Sequence, residues 1–162
     1  MKQISSYINE KLIINKDTNS SLKTINSYTD LYTLIYKTAK ESHDGILSLP
    51  NVDASNLKDL SFLCPSAGIG VIREIKKIDF SNWDVQGVLN MEKLFYHLNV
   101  EEIDVTGWNV EDVTNVNNMF SMCKNLKKII GIDSWNLKNI SDEDRKKMFD
   151  YSPAECQPKW IK

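Results

Sequence analysis

The sequence predicts an α/β repeat: a short solenoid of parallel strands plus short helices, preceded by N-terminal helices. Three observations predict it. Residues 75–99 and 100–124 align position by position, so that Ile78, Trp83, Met91 and Phe95 recur 25 residues later as Ile103, Trp108, Val116 and Phe120. A fixed period of about 20–30 residues marks units that stack on their neighbours instead of closing a core alone. Within each unit an apolar-x-x-apolar-x-apolar stretch reads as a strand, and a later i, i+3, i+4, i+7 set reads as one face of a helix.

The elements follow in chain order. Residues 1–15 carry Ile4, Tyr7, Ile8 and Leu12 at helical spacing and read as an amphipathic helix, a candidate docking helix. Residues 16–26 are polar and read as a linker. Ser27, with Asp30 three residues on, is a helix N-cap. Leu31, Leu34 and Ile35 then predict a helix over 28–41, with Gly45 placed to help end it. Residues 27–45 thus form a capping helix, and 46–162 hold about four units.

The first unit is degenerate: Leu49, Val52, Asp53, Leu60, Leu63 and Cys64 stand 31 residues before Phe80, Trp83, Asp84, Met91, Leu94 and Phe95. The extra length falls in the turn-rich 65–70. The next strands carry Ile75, Ile78, Phe80 and then Val100, Ile103, Val105. A third has Leu126, Ile129 and then Gly131, one residue out of step. Helices are expected on Met91, Leu94, Phe95, Leu98 and on Val116, Met119, Phe120, Cys123, the second capped by Thr114. Ser141, with Asp142 and Glu143 behind it, caps a third.

Stacking accounts for much of the rest. Trp83, Trp108 and Trp135 should form a buried column, and Asp84, Asn109 and Asn136 should hydrogen-bond backbone in the turns. Lys76, Glu101 and Lys127 align, as do Lys77, Glu102 and Lys128, so opposite charges should meet across neighbouring strands and help set register.

The segments IDFSNWDV, VTNVNNMFSMCKNL and IDSWNL resemble the BspA-type leucine-rich repeat, a bacterial surface-protein repeat of unknown function, over roughly residues 75–140. That resemblance implies a short leucine-rich-repeat solenoid serving adhesion or protein recognition, and a packing role for Cys123. It carries no catalytic residues. The start, MKQISSYINEKLIINKDT, is similar to leader segments of proteins from bacteriophages of Bacteroides-type bacteria. That second resemblance implies a phage-encoded protein.

The chemistry of sites is sparse. His43 and His97 lie in no nucleophile or metal motif, and Gly68-Ile69-Gly70 lacks the third glycine of a dinucleotide loop. No catalytic residue, metal site or cofactor is expected, so the chain reads as no enzyme. A net charge of −2 supplies no field for nucleic acid, and no apolar run approaches the about 20 residues that span a bilayer. Three cysteines without CxxC spacing and an N-terminus without a signal pattern point to the cytoplasm of a bacterial cell, or to a virion if phage-encoded.

The function expected is a protein–protein interaction module with an unidentified protein partner, no nucleic acid and no membrane. Its docking surface would be the outward strand positions Lys77, Asp79, Glu102, Asp104, Lys128 and Ile130. Reversing Asp79 and Asp104 to lysine should abolish capture without unfolding the chain. The alternatives are a phage protein, virion-associated or an inhibitor of a host system, with residues 1–15 as docking or packaging tag, and a fragment of a surface adhesin.

Overall fold

The computed structural model describes residues 22–64 and 70–161. It contains six short parallel strands: β1 (Lys23–Thr24), β2 (Ile46–Ser48), β3 (Val52–Asp53), β4 (Lys77–Asp79), β5 (Glu102–Asp104) and β6 (Lys128–Ile130). Two α-helices accompany them, α1 (Tyr28–Glu41) and α2 (Asp142–Lys147). Strands β1 and β3 form one sheet, and β2, β4, β5 and β6 form the other in that order. Register runs Leu47, Ile78, Ile103, Ile129 along the inward row, all buried.

Helix α1 forms where the spacing predicts. The Ser27 hydroxyl accepts from the Asp30 N–H at 3.1 Å, and Leu31, Leu34, Ile35 and Ala39 are its buried face. Ser141 caps α2 in the same way through the Asp144 N–H at 3.1 Å.

The expected leucine-rich-repeat solenoid of strand–helix units does not form. The described residues hold two small parallel sheets and two α-helices, and the segments read as helices at 91–98 and 116–123 are successions of turns. The cause lies in the backbone. Lys93, His97, Asn118 and Met122 have φ between 52° and 61°, in the left-handed region that ends a right-handed helix. The N–H groups of Lys93, His97 and Met122 point along the stacking direction, not down a helix axis. Those of Met91, Lys93, Phe95 and His97 donate to the carbonyls of Asn115, Asn117, Met119 and Ser121, at 2.8–2.9 Å. An i, i+3, i+4, i+7 apolar set is equally satisfied by turns that return the chain inward every three or four residues. Thr114 therefore caps no helix; its hydroxyl donates to the Leu89 carbonyl at 3.2 Å.

The expected linker at 16–26 needs a smaller correction. Its described part includes β1, where Lys23 and Ile25 donate to the Asn51 and Asp53 carbonyls at 2.9 and 2.8 Å. Residues 1–15, including Ile4, Tyr7, Ile8 and Leu12, lie outside the described residues, as do 65–69.

The interior is built from two aromatic columns. Trp83, Trp108 and Trp135 stack at 5.8 and 6.0 Å, and Phe95, Phe120 and Phe149 at 5.3 and 5.5 Å. The indole N–H groups of Trp83 and Trp108 donate to the Leu49 and Phe80 carbonyls one unit back. Gly131, one residue out of step, has φ 90° and lies against Thr106, where a Cβ would meet the Thr106 Cα at 2.6 Å. Trp135, the next indole in the column, has no partner for its buried N–H.

Candidate functional site

The outward sheet face carries the residues expected to dock a partner. Lys77 and Glu102 stand opposite each other and pair at 3.7 Å, and Lys127 pairs with Glu101 at 2.6 Å. Lys128 stands opposite Glu102, and Ile130 opposite Asp104. The charges thus alternate along the stack as stacking requires, and two of the expected docking residues are each other's partners.

The two aspartates of this face are occupied as well. Asp79 accepts from the Ser81 N–H and hydroxyl at 3.1 and 2.7 Å, and from the Ser48 hydroxyl at 2.9 Å. Asp104 accepts from the Thr106 N–H at 2.9 Å. The same Asx geometry recurs at the other corners of each unit: Asp53, Asp84 and Asn109 each take the N–H two residues on, and so do Asp59, Asn90 and Asn115. Hydrogen bonds from Ser55 hold the Asp53 carboxyl below its ordinary range. Burial opposes the same shift at Asp59, but hydrogen bonds from Ser61 and Asn90 outweigh it. Asn136 departs from the series; its side-chain amide donates to Glu111 instead. The double reversal of Asp79 and Asp104 to lysine therefore removes the acceptors of two turns along with two outward charges.

A different face combines exposure, strain and aromatic character. All eight non-glycine residues with positive φ among those described obey one rule: they belong to rows running along the stack, Asn51–Asn82–Gly107, Phe62–Lys93–Asn118 and His97–Met122–Tyr151. The N–H of each residue donates to the carbonyl just before the next residue of its row. Phe62 donates to Glu92, Lys93 to Asn117, His97 to Ser121 and Met122 to Asp150, all between 2.8 and 3.0 Å. The left-handed conformation is what aims that N–H at the neighbouring unit.

The first row is filled with asparagine and glycine, which adopt positive φ at little cost. The other two rows hold phenylalanine, lysine, histidine, methionine and tyrosine besides Asn118. Phe62, Lys93, His97 and Met122 are linked directly or through Tyr96, which lies between the rows. The Lys93 ammonium lies 5.0 Å from the Phe62 ring and 5.9 Å from the Tyr96 ring. The Tyr96 hydroxyl donates to the Met122 sulfur at 3.0 Å, and its ring lies 5.9 Å from that of His97. Phe62 is 44% exposed and Tyr151 80%. Sequence reasoning missed this ridge because it assigned 91–98 to a helix face. The only usable signal was the four-residue spacing of Lys93 and His97, which a helix shares.

The thiols offer no reactive group. Cys64, Cys123 and Cys156 are buried and free. Burial pushes all three up, Cys123 to about 12 and Cys156 to about 11, which keeps them protonated at neutral pH. Among the described residues no group of three or more His, Cys, Asp or Glu could hold a metal ion, and no helix is long and apolar enough to cross a membrane.

No curated protein and no solved structure matches the chain. A family model does match residues 69–158, just over half of the 162 residues, and it spans β4–β6, the Trp column and most of the ridge. The chain thus belongs to the family described as Mycoplasma protein of unknown function, DUF285.

Proposed function

We propose that this protein is a non-enzymatic protein-binding module and that it captures its partner with the ridge of Phe62, Lys93, Tyr96, His97, Met122 and Tyr151. The observation that carries the reading is the placement of bulky side chains at left-handed positions. Each non-Asn, non-Gly residue held there costs of order 1 kcal/mol. The row of Asn51, Asn82 and Gly107 makes the same backbone bonds with cheaper residues. What the extra cost yields is a row of large side chains spaced by the unit repeat, with Phe62, His97 and Tyr151 exposed, and aromatic residues dominate binding hot spots. The resemblance to the BspA-type surface repeat, a recognition or adhesion element, supports the same class of function. The outward strand residues Lys77, Asp79, Glu102, Asp104, Lys128 and Ile130 are the second candidate surface.

The test is affinity capture from source cells with variants that keep the fold. Replacing Phe62, Tyr96 and Tyr151 by asparagine should weaken capture of the wild-type partner by about tenfold or more. Exchanging Lys77→Glu together with Glu102→Lys preserves their pairing and should leave capture unchanged. Loss of capture in the exchange variant, with the ridge variant unaffected, would move the site to the sheet.

A further inference from the structure

We infer that the outer edge of β2, unpaired among the described residues, is a second docking site, independent of the ridge, which accepts an extended basic segment of a partner protein as an added parallel strand. The two ends of the four-stranded sheet differ. Beyond β6 the chain folds back: the Phe120 and Met122 N–H groups donate to the Met148 and Asp150 carbonyls, and Ala154–Cys156 lies against β6. At the other end, β1 pairs with β3, but no described strand pairs with β2 on its outer side.

Alternation fixes which groups are offered. Leu49 donates to the Asp79 carbonyl and the Gly45 carbonyl accepts from Lys77, so Gly45, Leu47 and Leu49 face β4. Ile46 and Ser48 face the other way. The Ile46 N–H is taken by Ser42 and Asp44, which leaves the Ile46 carbonyl and the Ser48 N–H open, with no partner among the described residues. Such an edge is a template for strand addition.

Ile46 and Ser48 lie on an open hollow of the surface bordered by Thr38, Glu41, Ser42, His43 and Asp44. Ile46 is 40% exposed and offers an apolar contact. Glu41 makes no ion pair among the described residues, and Asp44 is held ionised chiefly by the Ile46 N–H. No lysine or arginine lines the hollow. Backbone donors and acceptors therefore give the extended form, and the two carboxylates give the preference for a basic segment.

Hydrogen exchange on the full chain tests this, with a peptide of alternating lysine and valine as probe and its glutamate–valine counterpart as control. The lysine peptide should slow exchange of the Ser48 amide by about tenfold at saturation, and the glutamate peptide should not. Glu41→Lys, at an exposed helix end, should weaken the lysine peptide at least about fivefold without changing the melting temperature. A Ser48 amide already protected before peptide is added would show that the chain's own residues occupy the edge, and would overturn the proposal. So would peptide binding that ignores Glu41→Lys or leaves Ser48 unprotected.

Discussion

The sheet face and the turn face are generated by the same repeat and the same parallel register, yet they handle polarity in opposite ways. On the sheet face several charged side chains are answered from within: Lys77 by Glu102, Lys127 by Glu101, Asp79 by Ser48 and Ser81. On the turn face the backbone is answered from within, and bulky side chains are held at left-handed positions, Phe62 and Tyr151 among them exposed. A regular ladder can therefore absorb much of a conspicuous charge pattern while leaving a quiet stretch of turns as an available surface. Charge rows in a repeat protein are weak evidence of docking until their register is known.

The largest effects should come from what both faces share. Trp108 lies between Trp83 and Trp135 and donates to the Phe80 carbonyl at 2.8 Å. Trp108→Ala should cost about 3–5 kcal/mol in urea unfolding and loosen both faces together. Gly131→Ala puts a Cβ against the Thr106 backbone at positive φ, and should cost at least about 2 kcal/mol. A local loss confined to one face in either variant would mean that the columns do not couple the units.

The comparison sharpens at Asp79 and Asp104. Each caps a turn through the N–H two residues on, so Asp79→Asn, which keeps the acceptor, should be close to neutral. Asp79→Ala with Asp104→Ala should lose about 1 kcal/mol per site. Equal losses for asparagine and alanine would show that charge, not turn geometry, is what these positions supply.

These contrasts also show how far the sequence could be read. The 25-residue register was legible because inward residues repeat: Ile78 with Ile103, Trp83 with Trp108, Phe95 with Phe120. The Lys–Glu rows and the Asx turns at Asp84 and Asn109 followed from that register. The helices at 91–98 and 116–123 were misread because burial spacing reports which residues face inward, not the path between them. The sign of φ at Lys93 or His97 is set by bonds to residues 24 positions ahead, Asn117 and Ser121, and no local propensity encodes it. Strand β1 was hidden for a related reason: two residues carry no periodicity, and their partners Val52 and Asp53 are remote in sequence. The ridge depended on the first of these non-local facts.

On the turn face the expected sign reverses. Tyr151 is 80% exposed and left-handed, with almost no packing to lose. Tyr151→Asn should raise stability by about 0.5–1 kcal/mol while weakening partner capture. Phe62→Asn gains the same backbone relief but forfeits the Lys93 contact at 5.0 Å, so its net change should be near zero. Destabilisation by Tyr151→Asn would show that the tyrosine is there for the fold.

The smallest effect separates the Asx corners from the ridge by pH. Asp53 and Asp59 are held below the ordinary 3.8 in the folded chain. A lowered folded value means that ionised carboxylates favour the fold, so their contribution is complete above the unfolded value and disappears as pH falls through the folded one. Stability should therefore be flat from neutrality down to about pH 5 and fall below about pH 4. Asp53→Asn keeps the acceptor for Ser55 but cannot titrate, and should shallow that acid limb without moving the neutral plateau much. Tyr151→Asn should raise the whole curve in parallel, because backbone strain does not titrate. An acid limb unchanged by Asp53→Asn would place the acid sensitivity elsewhere than in these turns.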